Sequence, residues 1–560
     1  MKKLSIALLL LALNLVGFAN PDGKTKINII LKEQSDATEL MRTASAFPNK
    51  AARREFVVGT LKQQATVSQS ELLQQLNELE RNGLVSDIRP LWMVNSISCY
   101  AEESVIHELE LRNNVLLIHP CEQFPLIDDP AIPVERGDGR EIAQNLLQVN
   151  ADQVWAQGYT GEGVLIAIID TGVRLDHADL QGRLWDGGAE YPNHGYDFYS
   201  HDNDPSDTQG HGTHVAGTLV GTGASGTQTG VAPNAEIMVL KVFHGEDNLT
   251  EPTLWVEAMQ FAVEHGADVL NMSLGQPLPD AGVKLMLRQA CDNTLAAGVV
   301  ASICAGNSRQ IQMLAPVPHN IWSPGDCPPP HLHEDQMVNA GGTSCVVCVG
   351  AVDNNDAIGG FSSVGPSTWS EVSPYNDYPY TSNSATSIGL IRPDVCAPGV
   401  NIKSLDYNSS NGYCLKSGTS MATPCVAGTI ALMLSKNPEL TPAQIDEILE
   451  RTAVKLTEHK SNDFGSGRIN ALAAVNAVDP DAILESESQQ ALVYPNPSSD
   501  DFTIECDGMR QIDIFSMDGR SISSIHTASP VHQLQGLTNG TFLIKITTDD
   551  RVIVKKMVKL

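Results

Sequence analysis

Apolar positions follow three different patterns along the chain. From about residue 20 to 135, short runs alternate with amphipathic ones. Lys26–Leu31 alternates like a strand, and Leu72, Leu73, Leu76 and Leu79 fall at helical spacing within Ser68–Asn82. Trp92–Tyr100 reads as a strand, Glu103–Leu111 as a helix and Val115–His119 as a strand. These predict a small α+β unit, followed by an exposed linker over the Pro-, Asp- and Gly-containing passage Pro125–Gly139. From about 140 to 480 the runs become continuously apolar: Val164–Ile169, Glu236–Phe243, Ala267–Leu274 and Val299–Ala305. Amphipathic helices such as Leu254–Glu264 and Val283–Ala297 lie between them. Strands apolar on both faces and alternating with helices predict an α/β domain with a mainly parallel sheet. Its chemistry belongs at the carboxyl ends of the strands. Beyond a Glu/Ser/Gln linker at Leu484–Gln490 only short strands remain: Phe502–Cys506, Gln511–Ser516, Thr541–Thr547 and Val552–Val558. With Gly519, Gly536 and Gly540 at turns, they predict a small β-sandwich.

Composition narrows the class. A length of 560 residues implies three or four domains, and 42% apolar with 18% charged residues excludes a disordered or fibrous chain. No internal run reaches the roughly 18 apolar residues of a spanning helix, which excludes a polytopic membrane protein. Lys and Arg total 36 against 66 Asp and Glu, a net charge of −30. That balance argues against nucleic acid or an anionic membrane as a partner and suits solubility outside the cell. The N-terminus agrees: Met1-Lys2-Lys3 precedes an apolar run, Leu4–Phe18, with small residues at Gly17 and Ala19. Residues 1–19 are expected to be a secretory signal cleaved after Ala19. All 11 cysteines lie beyond it, and export permits disulfides, whose connectivity the sequence does not give. Cys345 and Cys348 have the spacing of a zinc or redox pair. They sit in an apolar strand-like run with no second pair, so buried thiols or disulfide partners are the better reading.

Three motifs in the α/β domain carry chemistry jointly. Asp170-Thr171-Gly172-Val173 directly follows the strongest strand, so its carboxylate is held rigidly. His211-Gly212-Thr213-His214-Val215-Ala216-Gly217 supplies an imidazole where a helix opens. Gly418-Thr419-Ser420-Met421-Ala422-Thr423-Pro424 places Ser420 at the start of an apolar helix, with Pro424 expected in its first turn. Each alone reads as a turn, a core histidine or a helix cap. Together they supply what a weak alcohol nucleophile needs, a base and a carboxylate to orient it, in the chain order Asp, His, Ser of subtilisin. Asn307, in Ala305-Gly306-Asn307 after another buried strand, offers an amide donor for an oxyanion.

With these motifs the domain resembles the subtilase family of serine proteases. His177–Leu180, Gly230–Pro233, Asn271–Gly275, Phe361–Gly365, Arg392–Gly399 and Gly467–Ala471 extend the match over about 340 residues. The resemblance implies a secreted serine endopeptidase of subtilisin-like α/β fold. It makes Asp170 the orienting acid, His211 the general base, Ser420 the nucleophile and Asn307 the oxyanion donor, with His214 a packing residue. Ser273, Leu274, Gly275, Ala305 and Gly306, within Ser302–Gly306, would line an uncharged first substrate pocket. No cofactor is implied for the chemistry. Asp179 matches a family calcium ligand, but the loop Gly221–Thr229 offers Gly, Ser, Thr and Gln in place of asparagines, so no metal ligand set is assignable. The alternative, an idle adhesin on the same scaffold, conflicts with the complete motifs.

The flanks extend the resemblance. Residues 20–135 resemble the family's inhibitory prodomain, which would lay the stretch Pro120–Asp129 through the active-site cleft and be cut from the 140–480 peptidase domain by the enzyme itself. Val493-Tyr494-Pro495-Asn496-Pro497, Ile512–Arg520, Leu537–Phe542 and Lys555–Leu560 make 486–560 resemble the sorting domain of type IX secretion, so the partners would be protein or peptide substrates, the prodomain and the secretion machinery. A carbohydrate-binding sandwich is the other reading of that tail. The protein is then expected at the cell surface or in the medium. The segment 308–342, with Pro324–Pro330 and His331-Leu332-His333, is longer than in compact subtilisins and resembles a bacillopeptidase F-like branch; a rigid Pro-rich loop explains the two histidines better than a metal.

Overall fold

The computed structural model describes residues 23–478 and 492–559, with breaks at 48, 127, 129, 135–140, 245–246, 312, 314, 331–343, 370–371, 373–388, 495–500, 507, 517–520, 528 and 549–551. The expected signal at 1–19, the linker at 484–490 and the His331/His333 pair lie outside the described residues. The chain forms two compact units, divided after Asp481.

The first unit opens with a four-stranded sheet in the order Val85–Leu91, Ser96–Ala101, Thr25–Leu31, Val115–Pro120, paired antiparallel throughout. Two expectations change here. Trp92–Tyr100 is not one strand, because the chain turns back at Asn95, which adopts φ 39°, a left-handed conformation that Asn tolerates. The helix expected over Ser68–Asn82 runs for 32 residues, Lys50–Arg81. Its first half buries Val57, Leu61 and Ala65, whose sparse apolar signal is diluted by polar neighbours, and Asn49 caps it by accepting the Ala52 N–H at 2.9 Å.

One face of this sheet closes a core of its own, with Ile27, Ile29, Leu31 and Ile97 against Leu72, Leu76, Val105 and Leu109, and a second cluster is shared with helices from the α/β part of the chain. Ile30, Leu40, Val57, Leu61, Leu91 and Met93 belong to one apolar cluster with Leu254, Met259, Val283 and Met286. Polar bonds stitch the same seam: Asn28 Nδ2 donates to Met286 Sδ (3.1 Å), Ser35 Oγ to Asn293 Oδ1 (2.9 Å), and Lys26 pairs with the fully buried Glu251 at 2.5 Å.

The α/β part holds a seven-stranded sheet in the order Val395–Pro398, Val346–Val352, Val300–Cys304, Val269–Met272, Leu165–Asp170, Glu236–Lys241, Gly195–Asp197, paired parallel at every step. Helices cover both faces, as continuously apolar strands require. The helices Pro252–Glu264 and Ala281–Ala296 lie on one side, and His211–Val220 and Thr419–Lys436 on the other.

The passage Pro125–Gly139 is exposed over Pro130–Pro133, as expected, but its described part is not a free linker, because it pairs with strand edges of the α/β part. Phe124–Pro125 pairs antiparallel with Leu249–Thr250, the Leu126 N–H donates to the Asn248 carbonyl at 3.0 Å, and Ile132–Val134 pairs antiparallel with Tyr413–Leu415. Unpaired strand edges are templates for an extended segment, and nothing in composition reveals which edge is free.

The second unit is a pair of sheets, Leu492–Tyr494/Phe502–Glu505/Val531–Leu534 and Ser521–His526/Met509–Ser516/Gly540–Thr548/Val552–Lys559. Its own core contains Phe502, Ile504, Ile512, Ile514, Ile544, Ile546 and Met557. The strands at 492–494, 521–526 and 531–534 were not expected; their inner positions are too few or too polar to show a period of two.

Candidate active site

Asp170 ends the central strand Leu165–Asp170, and His211 begins the helix His211–Val220. His211 Nδ1 lies 2.8 Å from Asp170 Oδ1, with both side chains 1% exposed. Gly212 permits this approach, since a Cβ there would stand 2.1 Å from the Gly172 carbonyl oxygen and 3.1 Å from Asp170 Oδ1. The Thr171 N–H also donates to Asp170 Oδ1, at 2.7 Å. With Nδ1–H donated to the carboxylate, the lone pair of His211 sits on Nε2, which has no hydrogen-bond partner among the described residues. Burial lowers the His211 pKa, but the charge and hydrogen bond of Asp170, with the charge of Asp128, outweigh it, so the net shift is upward.

A buried carboxylate that the motifs did not single out ties the strand end to the helix start. Asp207 accepts from Thr171 Oγ1 and the Gly210 N–H (both 2.9 Å) and from the Thr213 N–H at 3.0 Å. Thr171 Oγ1 in turn accepts the Gly212 N–H at 2.9 Å. Nothing but a full satisfaction count of this helix end would have pointed to Asp207.

Ser420 is the second residue of the helix Thr419–Lys436. Pro424 stands at its sixth position, past the first turn where it was expected. The bond lost is the one to the Ser420 carbonyl, which accepts instead from Ser273 Oγ at 2.9 Å. In return Ser420 Oγ donates to the Ser273 carbonyl at 3.1 Å. Asn307 meets the same helix start. Its Oδ1 accepts from the Thr419 N–H and Thr419 Oγ1, both at 3.0 Å. A backbone N–H can only donate, so the amide orientation is fixed with Nδ2 turned toward Gly418, 3.5 Å from where a Cβ on that glycine would be.

Ser273, Leu274, Gly275, Ala305 and Gly306 are brought together, and the surprise is their neighbour. Trp322, from the long segment after Asn307, stands where a Cβ on Gly306 (2.4 Å) or Gly275 (2.9 Å) would go. Its Nε1 donates to Ser308 Oγ at 2.7 Å and its N–H to the Ala305 carbonyl at 3.0 Å. Ser302 Oγ donates to the Thr423 carbonyl at 2.9 Å.

One further charge lies at His211. Asp128, from the segment laid along the domain, forms a buried ion pair with Lys416 and accepts from Gln209 Nε2 at 3.0 Å. Burial raises the Asp128 pKa, and the charges of His211 and Lys416 more than offset this, so the carboxyl ends below its usual range.

Other candidates carry no chemistry. His214 Nε2 bonds the Ile402 carbonyl at 3.0 Å, and burial pushes its pKa down to about 3, a neutral packing residue. Asp179 is fully buried with Oδ1 accepting the Ser225 N–H (2.7 Å) and Oδ2 the Tyr413 hydroxyl (2.9 Å). Donors aimed at both oxygens suit a carboxylate and not a calcium ion, which wants acceptors around it, so the residues present do not fit calcium there. No disulfide joins any cysteine; the Cys291 thiol hydrogen-bonds both Cys327 and Cys345. Among the described residues no three His, Cys, Asp or Glu side chains form a metal-sized group.

Comparison with known proteins places this arrangement. The subtilase family profile matches residues 161–467, and that of the secretion system C-terminal sorting domain matches 492–560. The chain is 30% identical over 477 residues to Bacillopeptidase F of Bacillus subtilis (strain 168), covering 80% of this chain and 30% of that protein. It is 35% identical over 326 residues to Subtilisin DY of Bacillus licheniformis, covering 58% of this chain and 96% of that one. It is 30% identical over 411 residues to Serine protease AprX of Bacillus subtilis (strain 168), 67% of this chain and 79% of that one. The chain thus spans under a third of the length of the bacillopeptidase and nearly all of the subtilisin. The sorting domain directs export by type IX secretion to the cell surface or the medium, and no described helix is long and apolar enough to cross a membrane. The chain belongs to the subtilase family, as a subtilisin-like serine endopeptidase that needs no cofactor for its chemistry.

Proposed function

We propose that the protein is a self-processing precursor in which Ser420 attacks the scissile carbonyl, His211 takes its proton and Asp170 holds the imidazole in the required tautomer. The Ser420 side chain turns from the Ser273 carbonyl to the unpartnered His211 Nε2. Attack then forms a tetrahedral oxyanion held by Asn307 Nδ2 and the Ser420 N–H. Its collapse expels the amine, protonated by His211, and leaves an acyl-enzyme that water hydrolyses by the same route. Ser273, Leu274, Gly275, Ala305 and Gly306 line the first substrate pocket, walled by Trp322. Residues 20–135 act as the inhibitory prodomain, 140–480 as the peptidase and 486–560 as the sorting domain.

The observation that carries this reading is the buried 2.8 Å bond between His211 and Asp170, with the chain's own segment paired along the same cleft. Ser420→Ala is expected to accumulate as a precursor retaining residues 20 to about 130, read by N-terminal sequencing in a host free of the native proteases. Trimming of that variant at the wild-type bond would assign maturation to another enzyme. Asn307→Leu is expected to lower kcat with little change in KM, since the donor acts mainly in the transition state. A loss of about 10²–10³-fold is the size found for such a donor in subtilisin itself.

A further inference from the structure

The cleft contains two donors whose directions are fixed and whose shared acceptor does not belong to the α/β domain. Lys416 ends the strand Tyr413–Lys416, four residues before Ser420, and is 5% exposed. Its only ionic partner among the described residues is Asp128. Gln209 Oε1 accepts the His211 N–H at 2.7 Å, which commits the other end of that amide, Nε2, to donate toward Asp128 at 3.0 Å. The charged group beyond these that faces Asp128 is His211.

We propose that Lys416 and Gln209 form a subsite for an acidic side chain of the substrate beside the general base, and that Asp128 is its occupant in the uncut chain. The inference rests on the endopeptidase reading above. Departure of the processed segment removes the carboxylate that pairs this ammonium and accepts from this amide, and a substrate carboxylate that docks there is buried against both donors in its place. An Asp or Glu of the substrate restores both bonds. A neutral side chain satisfies at most the amide, and a basic one places two cations together. Asp128 also stands second only to Asp170 among the groups favouring the His211 cation, so the same carboxylate stabilises the imidazolium that forms during attack.

The test uses the processed enzyme made from the full chain and quenched-fluorescence peptides of residues 122–134, carrying Asp, Asn, Ala or Lys at position 128. The wild-type enzyme is expected to cut the Asp peptide with kcat/KM about 30-fold or more above the Asn peptide, the low end of what leaving one partner of a buried charge pair alone costs. The Lys peptide should be the poorest. Lys416→Arg should keep this order, Lys416→Met should flatten it and Lys416→Glu should reverse it. Equal kcat/KM for the Asp and Asn peptides, or an acidic preference that survives Lys416→Glu, overturns the proposal. The wild-type series decides even if a variant fails to fold. Digestion of casein with no cleavage of any peptide also overturns the subsite while leaving the endopeptidase reading intact. Failure on casein and peptides alike removes both.

Discussion

The two flanks of the α/β domain have different cores. The N-terminal unit has a cluster of its own around Ile29, Leu72 and Ile97, and puts Ile30, Leu40, Leu91 and Met93 into a second one shared with Leu254, Val283 and Met286. The C-terminal strands close on Phe502, Ile512, Ile544 and Met557, in a cluster whose members among the described residues all lie within that unit. A flank that shares part of its core is coupled in stability to its neighbour, whereas one whose core is private can be removed like a tag. Sharing of apolar burial, more than length or position, separates a part that acts on the enzyme from a part that acts on its address.

Three experiments would break or sharpen this contrast. Deleting 486–560 should abolish release from the native host while leaving the melting temperature and activity of the remainder unchanged. Release at the full level would break the sorting reading, and a lowered melting temperature would break the private core. Next in size are two core truncations. Met93→Ala should weaken inhibition of the mature enzyme by separately expressed residues 20–130 by about 2–5 kcal/mol, the cost of removing a buried large side chain. Ile544→Ala should destabilise the C-terminal unit by a similar amount and leave that inhibition unchanged.

The smallest effect is one of pH. Glu257 lies on the shared seam, 3.6 Å from Arg89. Burial raises its pKa from 4.5 to about 7, against the pull of Arg89 and Lys26. Folding therefore favours its protonated form. Its contribution is greatest below about pH 4.5 and is lost as pH rises through about 7. Glu257→Gln, made in the uncut Ser420→Ala precursor, should flatten the fall in melting temperature between those values by the equivalent of about 1–3 kcal/mol. An unchanged slope would show that Glu257 does not titrate there.

The sequence made the α/β architecture and the short motifs legible for the same reason: both are local. A continuous apolar run marks a strand buried on both faces, and Asp170, His211 and Ser420 each lie at the end of an element with its own signature. What was hidden is long-range. Trp322 sits in a segment read only as Pro-rich, and its place against Gly275 and Gly306 depends on how that segment folds back. Asp128, Gln209 and Lys416 are separated by 81 and 288 positions, measured from Asp128, and no period links them. The Pro125–Gly139 passage read as a free linker because its composition is that of a loop, while its pairing is set by edges supplied elsewhere. Pro424 was expected one turn too early because its cost is absorbed by Ser273, a partner distant in the chain.

The shared seam also bears on colloidal behaviour. On the processing proposed above, departure of the N-terminal unit would leave the helices Pro252–Glu264 and Ala281–Ala296 with a newly bare apolar face in a medium without chaperones. Two such molecules would adhere face to face. A net charge of −30 on the whole chain opposes their approach, but only within the ~8 Å reach of charge at physiological ionic strength. On that reading the acidity that suits solubility would also disperse the processed form, and less so as the surroundings become saltier.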